Sequence, residues 1–246
     1  MNEQPMRVLA NARAAIDLLA KRGTLSPSGL GEALGIPRGT AYRLATGLHA
    51  IDFTEPLPGG AVGLSRRWLR LADAAAGALA EWVDAHPILA NLATSTGHSA
   101  FLTVPRGDSA VCIDSVTGHC SGVWVIRRGL TFPLNAGPGR QFLAHRDDLD
   151  DLLRERVFIP VTEKTLCTPE ELLADVRMSA TRGFLVAQED VMPRMALISF
   201  PIFNQNGGIH GCVAVGGEVA SILGEEDRIV DVLRSAATHL TASLSS

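Results

Sequence analysis

Aromatic side chains are scarce in this sequence. Phe, Trp and Tyr together make up 5% of its 246 residues, with one tyrosine, Tyr42. Hydrophobic residues still reach 46%, carried by Ala, Leu and Val, and charged ones 20%, which excludes a disordered, collagen-like or purely coiled-coil chain. Cysteine is nearly as sparse. Cys112, Cys120, Cys167 and Cys212 follow no CxxC spacing, which excludes a disulfide framework and fits free thiols in a reducing cytosol. No apolar run approaches the ~18 residues of a membrane span. The opening Met1-Asn2-Glu3-Gln4-Pro5 lacks the basic-then-apolar layout of a signal peptide, so a cytoplasmic location is expected.

Catalytic signatures are missing too. There is no GxSxG elbow, no HExxH and no pair of carboxylates spaced for acid–base work. His119-Cys120 with Cys112 lacks the second cluster that a metal site needs. Gly137-Pro138-Gly139-Arg140, ahead of a helix, offers two readings, an anion-binding loop or a structural turn. Without a Walker lysine or a full GxGxxG, the turn is favoured. The expectation is a protein with no catalytic residue, metal or cofactor.

What the chain does have is a division of charge. Residues 1–70 carry nine Lys and Arg against five Asp and Glu, whereas the whole chain is at −4. The basic part is the candidate for a polyanionic partner. Its length allows one large domain or two modest ones, at roughly 100–200 residues each.

Along the basic part, Val8, Leu9, Ala12, Ile16 and Leu19 recur at helical period over 6–22, ended by Gly23. Ser26 then caps a short helix with Pro27 at its first position and Leu30, Ala33 and Leu34 turned inward. Gly35-Ile36-Pro37 makes a tight turn. A third helix over 38–50 buries Ala41, Leu44, Leu48 and Ile51. Two extended runs around Gly59-Gly60 form a hairpin, with Pro56 and Pro58 confining its first arm to an edge. These five elements in this order describe a winged helix-turn-helix over 1–65. Residues 66–82 read as a linker helix with Leu64, Trp68, Leu71 and Ala75 along one stripe, serving either a dimer or its own domain.

A further helix is expected over 83–96, after which the period changes. Strands are expected at 99–104, 110–116, 122–127, 184–187, 196–203 and 208–216, with Asn206-Gly207 turning the last two into a hairpin. Helices are expected near 139–145 and over 169–182, the second with a Pro-Glu-Glu start. Glu189-Asp190 reads as a loop and Glu225-Glu226-Asp227 as a helix start. The closing helix presents Ile229, Val232, Leu233, Ala236, Ala237, Leu240 and Leu244. Strands and helices mix without βαβ alternation, so the fold class is α+β, with residues 83–246 forming a sensor-type domain on a largely antiparallel sheet.

In helix-turn-helix docking the N-terminal end of the second helix enters the major groove. Arg38, Thr40, Tyr42 and Arg43 are the candidates there, because Arg reads guanine in bidentate fashion and Thr and Tyr reach thymine methyls or phosphates. Ser26 and Arg66 are candidate phosphate contacts, although Ser26 also has its cap to make. No Lys or Arg lies between Asp52 and Ser65, so the wing tip contributes little to phosphate binding.

Taken together, Leu34-Gly35-Ile36-Pro37-Arg38-Gly39-Thr40-Ala41-Tyr42-Arg43-Leu44, Leu134-Asn135-Ala136 with Gly139 to Ala144, and Ile198 to Phe203 with Val213 to Gly217 make the chain resemble the IclR family of bacterial transcription factors. The resemblance implies a winged helix-turn-helix joined by a helix to a GAF-like effector domain. It also implies a homodimer or homotetramer on a palindromic DNA operator, and a small-molecule effector. The polar positions that hold the effector in carboxylate-sensing members fall here on Ala187, Leu197, Ala214 and Gly216. Other pocket positions fall on Ser121, Trp124, Phe132, Gly137, Pro138 and Met195. The pocket expected is apolar, suited to an aromatic effector with one or two polar handles. Two other readings remain: an interaction module with a vestigial DNA-binding head, and an enzyme, which would need a nucleophile–base pair.

Overall fold

The computed structural model describes residues 6–77, 80–120 and 126–244. The chain divides into two compact units, Met1–Leu79 and Ala80–Ser246.

The first unit opens with α1 (Arg7–Arg22), α2 (Pro27–Leu34) and α3 (Arg38–Ala50). Gly23 ends α1 at a φ of 82° that a side chain would resist. Ser26 Oγ accepts the Gly29 N–H at 3.1 Å and so caps α2. Ala15, Leu19, Leu30 and Leu48 make the core. A Cβ at Gly31 would stand 3.1 Å from Ala41 Cβ, so glycine is what lets α2 and α3 cross closely. A hairpin comes next, β1 (Thr54–Leu57) and β2 (Ala61–Leu64), and Leu25 bridges to Val62 beside it. Helix α4 (Arg67–Gly77) is fastened at its start: Trp68 Nε1 donates to Phe53 O at 2.8 Å, and the two rings lie 4.9 Å apart.

Four residues expected in this core are exposed: Val8, Leu9, Ala33 and Ile51. The core closes one turn later on α1, near Ala12, and Val8, Leu9 and Ile51 instead rim an open groove of about 400 Å³ between α1 and α3. Ala33 faces solvent on α2, where so small a side chain loses little.

The second unit starts with a 3₁₀ turn at Ala80–Trp82 and α5 (Ala85–Thr96). It continues through β3 (Ser99–Arg106), β4 (Ser109–Val116), β5 (Thr131–Pro133), α6 (Gly139–Leu143), α7 (Leu149–Glu155) and α8 (Pro169–Arg182). The last elements are β6 (Leu185–Gln188), β7 (Met195–Phe203), β8 (Ile209–Glu218), α9 (Val219–Gly224) and α10 (Glu226–Ser243). The strands form one six-stranded sheet, ordered β5-β4-β3-β8-β7-β6 and antiparallel at every pairing. Side chains alternate across it. Phe200, on one face, lies under Arg234 of α10. The other, inner face carries Phe101, Phe132, Leu197 and Ala214, packed with Phe142 of α6, Leu153 of α7 and Leu172 of α8.

Of the strand expected at 122–127, residues 122–125 lie outside the described residues. Ile126 and Arg127 are not in a strand, and β4 takes Thr131–Pro133 as its partner instead. The chain turns at Gly129 (φ 86°), and Arg128 is held back by Asp114, whose Oδ1 accepts from Nε at 3.0 Å and Nη2 at 2.7 Å. Helices α7 and α9 have no counterpart among the expected elements. Both are short, too short for a period to register in the sequence.

Candidate nucleic-acid interface and effector face

On α3, Arg38, Tyr42 and Arg43 are exposed and Thr40 is half-buried. The Arg38 guanidinium lies over the Tyr42 ring, 5.7 Å from its centroid, and Arg43 Nη2 donates to Thr40 Oγ1 at 3.5 Å. Each arginine is therefore steered by a neighbour one turn away, and among the described residues no carboxylate pairs with either. Ser26 Oγ is engaged in its cap, and Arg66 is exposed just before α4. The wing turn is Pro58-Gly59-Gly60, with positive φ at both glycines (78° and 75°).

The sequence-derived effector positions on strands share the inner face of the sheet. Ala187 stands opposite Leu197, which stands opposite Gly216. In the next row, Ser199 faces Leu185 on one side and Ala214 on the other, and Ala214 faces Phe101. Met195 is half-buried at the start of β7. Phe132, on β5, stacks on Phe101 with ring centroids 6.1 Å apart. Gly137 closes over this surface at φ 53°; a Cβ there would come 2.7 Å from Val191 Cγ2 and 3.3 Å from Phe132 Cδ1. Pro138 is buried at the start of α6. Ser121 and Trp124 lie outside the described residues.

Sequence reasoning missed what holds this loop. Arg140, 5% exposed, is engaged by two carboxylates: Nη1 pairs with Asp175 of α8, and Nε lies 3.1 Å from Asp190 Oδ2. Its Nη2 donates to Val186 O at 3.2 Å. Asp190 also accepts the Gly137 N–H at 2.8 Å, so one side chain ties both ends of the Gly137–Arg140 turn. Burial pushes the Asp175 carboxyl above its ordinary pKa, against the pull of Arg140. The turn is thus braced from within, and its arginine is occupied. Burial likewise pushes the Cys112 and Cys212 thiols up to about 12, far from a reactive thiolate. Among the described residues, no three His, Cys, Asp or Glu converge as a metal site.

A winged helix-turn-helix followed by a GAF-like α+β domain is the architecture of a transcriptional regulator. The family model described as bacterial transcriptional regulator IclR, C-terminal, matches residues 82–242, and the chain belongs to the IclR family. It is 23% identical over 226 residues to the HTH-type transcriptional regulator KipR of Bacillus subtilis, covering 91% of this chain and 90% of that one. The IclR structure of Thermotoga maritima superposes with a TM-score of 0.79 at 23% identity, over 98% of this chain and 100% of that chain. An IclR homolog of Microbacterium hydrocarbonoxydans, complexed with 4-hydroxybenzoate, gives 0.77 at 20% identity, over 96% of this chain and 98% of that chain. These relatives are regulators, not enzymes.

Proposed function

We propose that residues 1–65 read a palindromic operator as part of a homodimer or homotetramer, that α4 links this head onward, and that residues 83–246 receive an aromatic effector over the inner face of the sheet. The observation that carries the reading is the pair of unpaired, pre-oriented arginines on the first two turns of α3. Such side chains fit guanine edges and flanking phosphates in a major groove. The effector half is supported by the apolar side chains on the inner face and by the relative complexed with 4-hydroxybenzoate. Binding of effector then shifts the population between two arrangements of the heads. The test is fluorescence anisotropy on the protein's own upstream DNA, titrated in salt, with and without aromatic compounds. Specific binding with a log–log salt slope of about −0.9 per phosphate neutralised, released by an aromatic compound, is the expected result. Absence of any sequence preference at every salt concentration would overturn the reading.

A further inference from the structure

The inner face is packed shut. Phe132, Leu197 and Ala214 are no more than 1% exposed, so an effector reaches them only if something at the margin moves. Open space lies beside that margin at the β6–β7 connection. A cleft of about 550 Å³, a volume that suits a small ligand, runs between Glu189, Val191 and Met192 of the connection and the facing Val161, Thr162 and Lys164. Val191 belongs to both sides. It lines the cleft, it packs on the inner-face core, and its Cγ2 would stand 2.7 Å from a Cβ at Gly137.

The connection is fixed at its two ends and loose between them. Asp190 is clamped by Arg140, by the Gly137 N–H and by Thr165 Oγ1, which donates to Asp190 O at 2.7 Å. At the far end Arg194 O accepts the Val219 N–H at 3.0 Å. Val191, Met192 and Pro193 lie between these anchors. Glu189 and Arg194 flank them at φ of 57° and 66°, backbone that side chains resist and that recurs where loops clamp ligands. One carboxylate fastens the loop: Glu189 Oε1 accepts the Arg194 N–H at 2.8 Å, and Oε2 pairs with Lys164 on the opposite wall of the cleft. Lys164 is exposed, so this pair opens directly into water.

Building on the proposal that the inner face is the effector site, we propose that this cleft is the port by which the aromatic effector enters, that Val191 is its gate, and that the Lys164–Glu189 pair is its latch. Such a latch is closed before and after entry and open only during passage. Its removal speeds entry and exit by the same factor and leaves the equilibrium constant alone, whereas loss of a residue that holds the ligand changes the equilibrium constant.

Stopped-flow tryptophan fluorescence of the full chain tests this with 4-hydroxybenzoate and 4-hydroxybenzamide as probes. Lys164→Ala should raise the association and dissociation rates together by about threefold, the scale of one exposed ion pair, with Kd unchanged. Val191→Ala should raise both rates further. Arg154→Ala, which breaks an exposed pair with Asp151 on α7, should keep the wild-type rates. Unchanged rates in Lys164→Ala overturn the latch, and unchanged rates in Val191→Ala overturn the gate. A changed Kd in Lys164→Ala makes that residue a ligand contact and overturns the port, as does an equal acceleration in Arg154→Ala. All of these results leave the inner-face effector site standing, because the probe still binds. Failure of the wild type to bind either probe overturns that site, and the port with it.

Discussion

Asp190→Ala removes the carboxylate that serves Arg140 and the Gly137 N–H together. Breaking a buried ion pair from one side costs about 3–5 kcal/mol. Here Asp175 remains to hold the guanidinium, which brings that cost toward its lower end. The orphaned Gly137 N–H, buried under Val191, adds its own penalty of about 1–3 kcal/mol. The expected loss is roughly 4–6 kcal/mol, to be read as a fall in the urea midpoint of the second unit of about 2–3 M, at a slope of about 2 kcal/mol per molar. Asp190→Asn keeps an oxygen for the Gly137 N–H and surrenders only the charge, so it should lose about half as much. Urea unfolding followed by circular dichroism separates the two variants. A midpoint for Asp190→Ala within ~0.3 M of wild type would refute the bracing role, at that same slope.

Arg140→Ala should destabilise most at neutral pH and least in acid. Asp175, which burial already holds above its ordinary pKa, loses the opposing pull of Arg140, so stability present below its unfolded pKa is lost as pH rises through its folded value; a deficit relative to wild type that grew on acidification instead would contradict this. Acid should also weaken the wild type through His98, whose pKa burial lowers. An unfolded histidine takes up a proton from about pH 6.5 downward while the folded one resists, so stability falls as pH drops through that window, and His98→Leu should flatten that part of a thermal-melt pH profile. Arg43→Ala, on an exposed side chain, should abolish or strongly weaken specific operator binding with an unchanged melting point; retained specific binding in the gel shift would displace α3 from its assigned role. Ser26→Ala should cost the first unit about 1 kcal/mol through loss of the α2 cap, measured by urea unfolding of that unit.

Much of the fold was legible because each element announces itself locally. Helices α2 and α8 carry punctuation at both ends, Ser26-Pro27 to Gly35 and Pro169 to Gly183, and begin and end within a residue of it, whereas α3 has its signal only at the start, at Pro37. The hairpin of β7 and β8 stems from Asn206-Gly207, where Gly207 takes a φ of 78°. Period alone served less well at element ends: Val8, Leu9 and Ile51 keep the helical rhythm but lie beyond the part of α1 and α3 that another helix covers. On the sheet, register sets which positions share a face, so Ala187, Leu197, Ala214 and Gly216 come together as their strands pair. The Arg140–Asp175–Asp190 network had no signature. Its members are distant in sequence, each is an ordinary charged residue in its own surroundings, and only the packing of α6 against α8 and the β6–β7 connection makes them partners.

The two tryptophans on either side of the unit boundary act as end-clamps. Trp68 is bonded and stacked onto Phe53 of the head, whereas Trp82 stacks on His210 and leaves no room for a Cβ at Gly211 in the effector unit. Between them, α4 runs exposed from Leu69 to Ala75. Trp68 therefore fixes the start of α4 to the first unit, and Trp82 fixes the 3₁₀ turn to the sheet of the second. One residue added inside α4 would rotate the remainder of that helix by about 100°, whereas one added in the wing turn would leave that phase untouched.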